Sequence, residues 1–305
     1  MFDIASIERF CNEIGCEYLK NEPMSRHTTF KIGGAADLFA MPSSADMAVK
    51  LQQKCRETGT PLTVIGRGSN LLVADEGIEG CVICIGPKMS EIRNENGYLV
   101  CSAGTSLAEL CRYALEHSLA GLEFAYGIPG SVGGAVYMNA GAYGGEMKDV
   151  VAFVRHVTHE GEWQERSISE LNFGYRRSVY VGRDDLIVEA GFKLEEGDPT
   201  AIREKMEDLV GRRKDKQPLE YPSAGSVFKR PEGAFAGALI ENCGLKGENV
   251  GGAMVSPKHA GFIVNTGGAT CADVENLVGL IQKTVKTETG YDLECEIKRI
   301  GRQRL

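Results

Sequence analysis

The chain has 305 residues, of which 43% are hydrophobic and 25% charged, enough for two or three domains with buried cores. No apolar run approaches the ~18–20 residues that span a bilayer. The N-terminal stretch is amphipathic and acidic, unlike a signal peptide, so we expect a cytoplasmic protein. The formal net charge of −8 argues against nucleic acid as a partner, and we expect no membrane contact and no obligate protein partner.

The ten cysteines and five histidines give no sign of a metal. Without an export signal, the thiols are expected to stay reduced. Cys81 and Cys84 form a Cys-x-x-Cys, but it lies in a strand-like run with no second pair at zinc spacing. We therefore expect no metal site.

Helices and strands alternate along the first third of the chain. A helix is predicted over 44–58 with Ser44 as its cap, and another over 106–118, where Ser106 and Glu109 have capping-box spacing. Apolar runs closed by glycine predict strands at 61–66, 81–86 and 98–104. This alternation favours an α/β layer.

The glycine-rich segment 121–146 lacks periodicity and predicts a shaped loop that feeds a short helix. Thr200 and Thr270 are predicted to cap two later helices, and the basic, proline-marked stretch 212–222 predicts a domain boundary. The remaining predicted elements are strands at 151–158, 186–194, 261–265 and 293–300 and helices at 200–211 and 271–289.

The first candidate site is "VIGRGSNLLV" (64–73), where a predicted strand runs into Gly66–Asn70. Two glycines let the backbone turn tightly and aim several amides at one point, which is how a pyrophosphate is held. A plain strand and turn explains the stretch equally well, because the Rossmann and Walker patterns both fail here.

The second candidate is "GIPGSVGGAVYMNAGAYG" (127–144). Its small residues allow a flat ligand to approach the backbone, and Ser131 and Asn139 supply polar anchors. The alternative is a flexible linker, but linkers are polar, whereas Val136 and Tyr137 are among several apolar side chains here that need burial. Two such loops in one α/β half predict a large nucleotide cofactor.

Three further stretches are ambiguous by themselves. "FGYRRSVY" (173–180) has paired arginines suited to a carboxylate or an enolate, although a solvated surface pair is the commoner explanation. "PSAGSVFKRP" (222–231) places Ser226 after a glycine, which otherwise indicates a turn. In "LECEIKRI" (293–300), alternation puts Glu296 on the outward face of a strand, where a solvent-facing edge is the simpler explanation.

Together these stretches resemble the UDP-N-acetylenolpyruvoylglucosamine reductase family over nearly the whole chain. One fragment is weak evidence, whereas seven in the family's order are highly specific. The spacing between Tyr175 and Tyr221 resembles the shorter subtype, which lacks an inserted tyrosine-bearing loop. The resembling motifs are "HTTFKIGG" (27–34), "IGRGSNLLV" (65–73), "GIPGSVGGAVYMNAGAYG" (127–144), "YRRS" (175–178), "GSVFKRP" (225–231), "HAGFIVN" (259–265) and "ECEIKRIG" (294–301).

The resemblance implies an α/β (α+β) fold, with a two-subdomain FAD-binding fold of the vanillyl-alcohol-oxidase/PCMH type and a C-terminal substrate-binding α+β domain. We expect FAD-binding subdomains at 1–95 and 96–213 and a substrate domain at 214–305. The implied reaction is the NADPH-dependent, FAD-mediated reduction of UDP-N-acetyl-3-O-(1-carboxyvinyl)glucosamine to UDP-N-acetylmuramate in peptidoglycan synthesis, with the FAD bound non-covalently. The implied FAD contacts are Gly66, Arg67, Gly68, Ser69, Asn70, Leu71, Gly127, Pro129, Gly130, Ser131, Gly133, Gly134, Asn139, Ala142 and Tyr143.

By the same resemblance, Arg176 and Glu296 stabilise an enolate-like species, and Ser226 protonates it at C2. A carboxylate is unfavourable beside an anion, so we expect Glu296 to be buried and protonated. The implied substrate-binding residues are Tyr175, Lys216, Lys229, Arg230 and His259.

Two other functions stay open. One is a related FAD-dependent oxidase, in which the flavin is often attached through histidine or cysteine. The other is a nucleotide-sugar-binding protein without turnover. No histidine lies in either glycine-rich loop, and a protein that only binds has no need of Arg176, Ser226 and Glu296 together.

Overall fold

The computed structural model describes residues 3–303, and the chain divides into two compact units built from separate stretches. The first unit contains the chain up to Lys20, Leu38–Arg67 and Gly80–Arg213, and the second contains Asn21–Asp37, Gly68–Glu79 and the chain from Lys214. This division does not separate 1–95 from 96–213, so the predicted bounds of the three domains stay a prediction.

The described residues form seven α-helices. They are α1 (Ile4–Ile14), α2 (Ala45–Glu57), α3 (Leu107–Glu116), α4 (Val132–Tyr137), α5 (Pro199–Lys216), α6 (Ala236–Asn242) and α7 (Cys271–Thr289). No helix within residues 3–303 is long and apolar enough to cross a membrane.

The strands are mostly short. They are β1 (Glu17–Pro23), β2 (Ala35–Met41), β3 (Leu62–Ile65), β4 (Leu71–Val73), β5 (Ile78–Cys84), β6 (Ile92–Glu95), β7 (Tyr98–Ser102), β8 (Leu119–Ala120), β9 (Gly141–Ala142), β10 (Gly145–Glu146), β11 (Val151–Val157), β12 (Trp163–Ser167), β13 (Leu186–Phe192), β14 (Glu195–Glu196), β15 (Asn249–Val250), β16 (Ala253–Val255), β17 (Ile263–Asn265) and β18 (Lys298–Ile300).

The predicted caps of three helices are confirmed. The Ser44 hydroxyl accepts from the Met47 amide at the start of α2, and the Ser106 hydroxyl accepts from the Glu109 amide at the start of α3. Thr270 forms a full capping box at α7, which spans the predicted 271–289. Each helix begins where a hydroxyl oxygen satisfies an otherwise unpaired amide of the first turn.

Two predicted elements are wrong in extent. The helix expected over 200–211 runs from Pro199 to Lys216, and the carboxylate of Asp198 accepts from the amide of Thr200, the predicted cap. The strand expected over 293–300 begins only at Lys298. A single glycine inside a helix costs only about 1 kcal/mol, so Gly211 does not end α5.

The first unit is built around an antiparallel sheet of five strands in the order β12-β11-β13-β7-β6. Strands β3 and β5 pair in parallel within a second sheet, whose order is β1-β2-β5-β3. The first unit's core contains Leu38, Leu107, Val154 and Phe192, all fully buried. The predicted α/β alternation of the first third is therefore present.

The second unit has its own core, which includes Phe30, Val227, Ile263 and Leu277. It contains the three-stranded sheet β15-β16-β17 and the parallel pair β18 and β4. Strand β18 lies near the C-terminus and pairs with β4, which directly follows the first glycine-rich loop, so the second unit joins distant parts of the sequence.

Candidate functional site

The first glycine-rich loop begins where β3 ends at Ile65. The amides of Arg67, Gly68 and Ser69 have no hydrogen-bond acceptor among residues 3–303. Unpaired backbone amides in a turn are expensive unless water or a ligand satisfies them. Successive N–H groups of this kind can form an anion-binding nest, as the predicted pyrophosphate site requires.

Two glycines of this loop lie where no side chain fits. A Cβ on Gly66 would stand 2.4 Å from the hydroxyl oxygen of Ser131 in the second glycine-rich loop, within the first unit. In the second unit, a Cβ on Gly68 would stand 2.2 Å from the carbonyl oxygen of His27, and its φ of +61° is left-handed. Glycine is therefore required at both positions because neighbouring parts of the chain come so close, and such close approach is expected in a cofactor-binding loop.

The motif "HTTFKIGG" (27–34) carries no predicted site residue, but the structure shows that it connects two of the other motifs. The amide of Thr29 donates to the carbonyl oxygen of Gly68 at 3.4 Å, and its hydroxyl donates to the carbonyl oxygen of Ser223 at 2.7 Å. Thr29 thus links the first glycine-rich loop to the stretch before Ser226. The contact of Gly68 with His27 adds to the same link.

The second glycine-rich loop packs against the start of α3. The amide of Leu107 donates to the carbonyl oxygen of Gly130 at 3.0 Å, and the amide of Val132 donates to that of Thr105 at 2.9 Å. A Cβ on Gly133 would stand 2.9 Å from the Cβ of Ala103. The segment is therefore an ordered loop that leads into α4, which overturns the flexible-linker alternative.

Asn139 is buried at the end of this loop with a φ of +42°. Its amide nitrogen donates to the carbonyl oxygen of Gly174 at 3.0 Å and to the Glu146 carboxylate at 2.9 Å, and its oxygen accepts from the amide of Lys148 at 3.0 Å. Its two N–H donors are thereby used within the protein. Its predicted contact with a cofactor stays a prediction.

Arg213 has a position that sequence reasoning did not predict. The guanidinium lies 5.9 Å from the ring of Tyr143, and its Nε would stand 3.0 Å from a Cβ on Gly127. This Nε is buried without an acceptor among the described residues, and burial lowers the pKa of the guanidinium. In the sequence, Arg213 follows the buried Ile202 and Met206 at intervals that correspond to one face of a helix. This periodicity could have predicted that Arg213 lies on the buried face of α5.

Tyr175 and Arg176 form the tip of a tight turn. The amide and carbonyl groups of Gly174 and Arg177 bond to one another at 2.9 and 3.1 Å. Arg176 has a φ of +53° in the third position, where glycine or asparagine is usual. A non-glycine residue held in this region is a mark of functional sites. Its guanidinium lies 5.3 Å from the ring of Tyr175 and donates to the carbonyl oxygen of Gly141 at 3.4 Å.

Ser226 lies in an extended segment of the second unit, just after Gly225, whose φ is +80°. It forms an isolated bridge with Phe262. The neighbouring Val227 carbonyl oxygen accepts from the amide of Glu296 at 2.7 Å. The half-buried Ser226 is therefore held by backbone pairing next to the segment that carries Glu296.

Glu296 is 9% exposed, so the predicted outward-facing position on a strand is wrong and the expected burial is confirmed. Regular alternation begins only with β18 at Lys298, which is why it fails here. The side-chain amide of Asn70 donates to the carbonyl oxygen of Glu296 at 3.3 Å. This bond ties the first glycine-rich loop to Glu296 within the second unit.

The predicted substrate-binding cations have different surroundings. Lys216 ends α5 and is exposed. Lys229 forms an ion pair with Glu294, and the guanidinium of Arg230 lies 3.9 Å from the ring of Phe235. All three lie in the second unit.

His259 is half-buried beside Phe262, whose ring centroid is 5.0 Å away. Its Nδ1 accepts from the amide of Gly261 at 3.1 Å, so Nε2 carries the proton of the neutral ring. Burial lowers the pKa of His259. The ring is therefore a fixed hydrogen-bond donor.

Seven of the ten cysteines are buried, and Cys84, Cys243 and Cys295 are partly exposed. Burial raises the pKa of Cys84 to about 11, and the hydrogen bond that the Cys81 thiol donates to Cys55, together with burial, raises the pKa of Cys81. Neither is a reactive thiolate at neutral pH. Residues 3–303 hold no group of three or more His, Cys, Asp and Glu side chains suited to a metal ion.

Glycine-rich loops with successive unpaired backbone amides are typical of the class of proteins that bind a flat, phosphate-bearing cofactor. The family model described as "FAD binding domain" matches residues 36–167, and the model described as "UDP-N-acetylenolpyruvoylglucosamine reductase, C-terminal domain" matches residues 217–300. The first model covers both glycine-rich loops, and the second covers Ser226 and Glu296.

The whole-chain comparisons agree. A UDP-N-acetylenolpyruvoylglucosamine reductase of Caldanaerobacter subterraneus is 50% identical over 92% of this chain and 93% of the relative. That of Exiguobacterium sibiricum is 48% identical over 93% of each. The crystal structure of the Thermus caldophilus reductase has 36% sequence identity and a TM-score of 0.78, covering 93% of this chain and 98% of the other. The chain belongs to the UDP-N-acetylenolpyruvoylglucosamine reductase family.

The predicted family, the α/β fold with an FAD-binding part and a C-terminal substrate domain, and the FAD cofactor are thereby confirmed. The roles of individual site residues stay predictions. Arg176 belongs to the first unit, whereas Ser226 and Glu296 belong to the second, so their action on one substrate is part of the proposal below.

Proposed function

We propose that this chain catalyses the NADPH-dependent reduction of the enolpyruvyl group of UDP-N-acetyl-3-O-(1-carboxyvinyl)glucosamine to UDP-N-acetylmuramate in peptidoglycan synthesis. The observation that carries the cofactor part is the cradle between Gly66 and Ser131, too tight for any side chain at position 66, beside the unpaired amides of the same loop. The proposed substrate follows from membership of the reductase family. A cytoplasmic site of action fits this substrate and is part of the proposal.

The residues suited to hold FAD are those that the two loops present. The amides of Arg67, Gly68 and Ser69 would donate to the diphosphate, and the backbone around Gly130 and Ser131 would let a flat ring approach closely. When bound there, FAD supplies the hydride that NADPH provides and that the enolpyruvyl C3 receives. Arg213 adds a cation beside Gly127 and Tyr143.

Arg176 stabilises the charge that builds on the substrate carboxylate during the reaction. A guanidinium gives a carboxylate paired hydrogen bonds, and these strengthen as the enolate-like character grows. The left-handed turn fixes the arginine backbone before substrate arrives, so little reorganisation is needed in the transition state.

Ser226 protonates C2 of the reduced substrate. A serine hydroxyl is a weak acid, but the carbanionic carbon is far more basic, and the backbone pairing of 226–228 holds the donor in place. The buried Glu296 provides a second hydrogen-bonding group to the same species. Tyr175, Lys216, Lys229, Arg230 and His259 bind the uridine diphosphate sugar as one cationic and hydrogen-bonding set.

Visible absorbance of the purified protein provides the first test, because bound FAD gives the protein flavin bands and a yellow colour. Acid precipitation then separates a reductase from an oxidase with covalent flavin, since non-covalent FAD stays in the supernatant. A colourless protein, or NADPH oxidation that ignores the enolpyruvyl sugar, contradicts the proposal.

Ser226→Ala tests the proton donor in stopped-flow experiments. We expect NADPH to reduce the flavin at the parent rate, and the enolpyruvyl sugar to reoxidise it about 10²–10⁴-fold more slowly, the usual contribution of an acid. Ser223→Ala is the matched control, because it keeps the backbone carbonyl that Thr29 contacts. Parent-like reoxidation in Ser226→Ala removes this residue from the role.

A further inference from the structure

We propose that Asn139 and Ser178 are positioning residues that hold the turn carrying Arg176 in register with the second glycine-rich loop. This inference rests on the proposed function of Arg176. Neither side chain is exposed to substrate, since Asn139 is fully buried and Ser178 is 4% exposed. Both act through hydrogen bonds within the first unit.

The contact of Asn139 is made at the base of the turn. Its amide nitrogen donates to the carbonyl oxygen of Gly174 at 3.0 Å, and the same oxygen accepts from the amide of Arg177 at 3.1 Å, which closes the turn. Both lone pairs of that carbonyl are thus used. Any movement of Asn139 is transmitted directly to the backbone that sets the position of Arg176.

Asn139 is itself fixed by the loop that follows α4. The Glu146 carboxylate accepts its second amide proton at 2.9 Å, and its oxygen accepts from the amide of Lys148 at 3.0 Å. Two donors and one acceptor of a single buried side chain therefore join the turn to the 139–148 loop. A buried amide with all its groups paired has one orientation.

Ser178 makes the second contact, on the other side of Arg176. Its hydroxyl donates to the carbonyl oxygen of Tyr137 at 2.7 Å and accepts from the amide of Tyr180 at 3.3 Å. Tyr137 is the last residue of α4, and its carbonyl is one of those that a helix leaves unpaired at its C-terminus. Ser178 therefore both completes α4 and anchors the chain after the turn.

The two anchors enclose a strained residue. Arg176 has a φ of +53°, and a left-handed conformation at a residue other than glycine persists only where its surroundings hold it. Asn139 holds the chain two residues before Arg176, and Ser178 holds it two residues after. The geometry thus assigns the pair to the maintenance of the arginine backbone, a role apart from ligand contact.

The test uses Asn139→Gly and Ser178→Ala in the FAD-bound enzyme. Glycine accepts a positive φ without strain, so Asn139→Gly removes the amide alone. The matched control is Asn96→Gly, because Asn96 has a φ of +53° in an exposed turn of the same unit. For Ser178→Ala we expect flavin reduction by NADPH within about twofold of the parent. For both variants we expect reoxidation by the enolpyruvyl sugar to slow about 10–100-fold with KM changed less, because small misplacements of a reacting group have effects of this size.

Two further readouts separate positioning from a general structural effect. In an Arg176→Lys background, adding Asn139→Gly should cost less than about threefold, because residues that act through one group are not additive. Hydrogen–deuterium exchange of amides 174–180 should be faster in Asn139→Gly and Ser178→Ala than in the parent and in Asn96→Gly.

Parent-like reoxidation, equal losses with and without Arg176, or unchanged exchange over 174–180 each overturns the inference. Exchange is read without substrate, so it judges the anchors independently of turnover. A parent enzyme that ignores the enolpyruvyl sugar would overturn the proposed function alone.

Discussion

The approach of Gly66 to Ser131 yields a prediction about packing that needs no ligand. An alanine at position 66 places a methyl group 2.4 Å from the Ser131 hydroxyl oxygen, about 1 Å closer than ordinary contact. Ser131 is 2% exposed, so the side chain or the loop has to move. Overpacking of this kind costs about 1–3 kcal/mol, which for a unit of this size lowers Tm by several degrees.

The same geometry predicts the rescue. The Cβ of Ser131 would be 3.6 Å from the new methyl group, an ordinary contact, so Ser131→Ala should restore most of the stability that Gly66→Ala loses. Calorimetry of the two single variants and the double variant measures this interaction, and Gly86→Ala is the control because its Cβ would meet only the Cys84 sulfur at 3.5 Å.

A Gly66→Ala protein with parent Tm and full FAD content would refute the reasoning about the cradle. A double variant as unstable as Gly66→Ala would show that the obstacle is not the Ser131 hydroxyl. The expected loss of FAD in Gly66→Ala is read from the ratio of visible to ultraviolet absorbance.

Three other outcomes are expected. Thr270→Ala should lose about 1 kcal/mol of stability in urea titrations, since it removes the cap of α7, whereas Thr287→Ala on the exposed face of α7 should change it by less than about 0.5 kcal/mol. Hydrogen bonds from Arg155 and a second arginine lower the pKa of Glu95 from 4.5 to about 2. The stabilisation is present above pH 5 and is lost as pH falls towards 2, so Glu95→Gln should lower Tm at pH 7 by more than it does near pH 2. Normal turnover in Glu296→Gln supports a protonated donor, and complete loss indicates a proton shuttle.

Local signals were sufficient where a short stretch decides the structure. The hydroxyl of Thr270, the acidic Asp273 and the terminal Gly290 define α7 to the residue. The glycine-rich loops were also recognised, because their small residues and apolar neighbours are adjacent in sequence.

The sequence did not predict features that depend on contacts between residues far apart in the chain. Glu296 lies outside regular strand pairing, and its backbone is held by Val227 and Asn70, which no alternation pattern reveals. Helix α5 continues past Gly211 as far as Lys216, which carries Arg213 to Gly127 and Tyr143. The anchoring roles of Asn139 and Ser178 likewise depend on partners about 35–41 residues away.

The discontinuous second unit has a consequence for synthesis on the ribosome. Strand β4 emerges early, but its parallel partner β18 is made about 230 residues later, roughly 10–50 s at ~5–20 residues per second. Residues Gly68–Leu71, four of the six first-loop residues predicted to contact FAD, belong to this late-completed unit. The nascent chain therefore cannot assemble its full cofactor loop before translation nears its end. FAD binding is expected only once the polypeptide is almost complete.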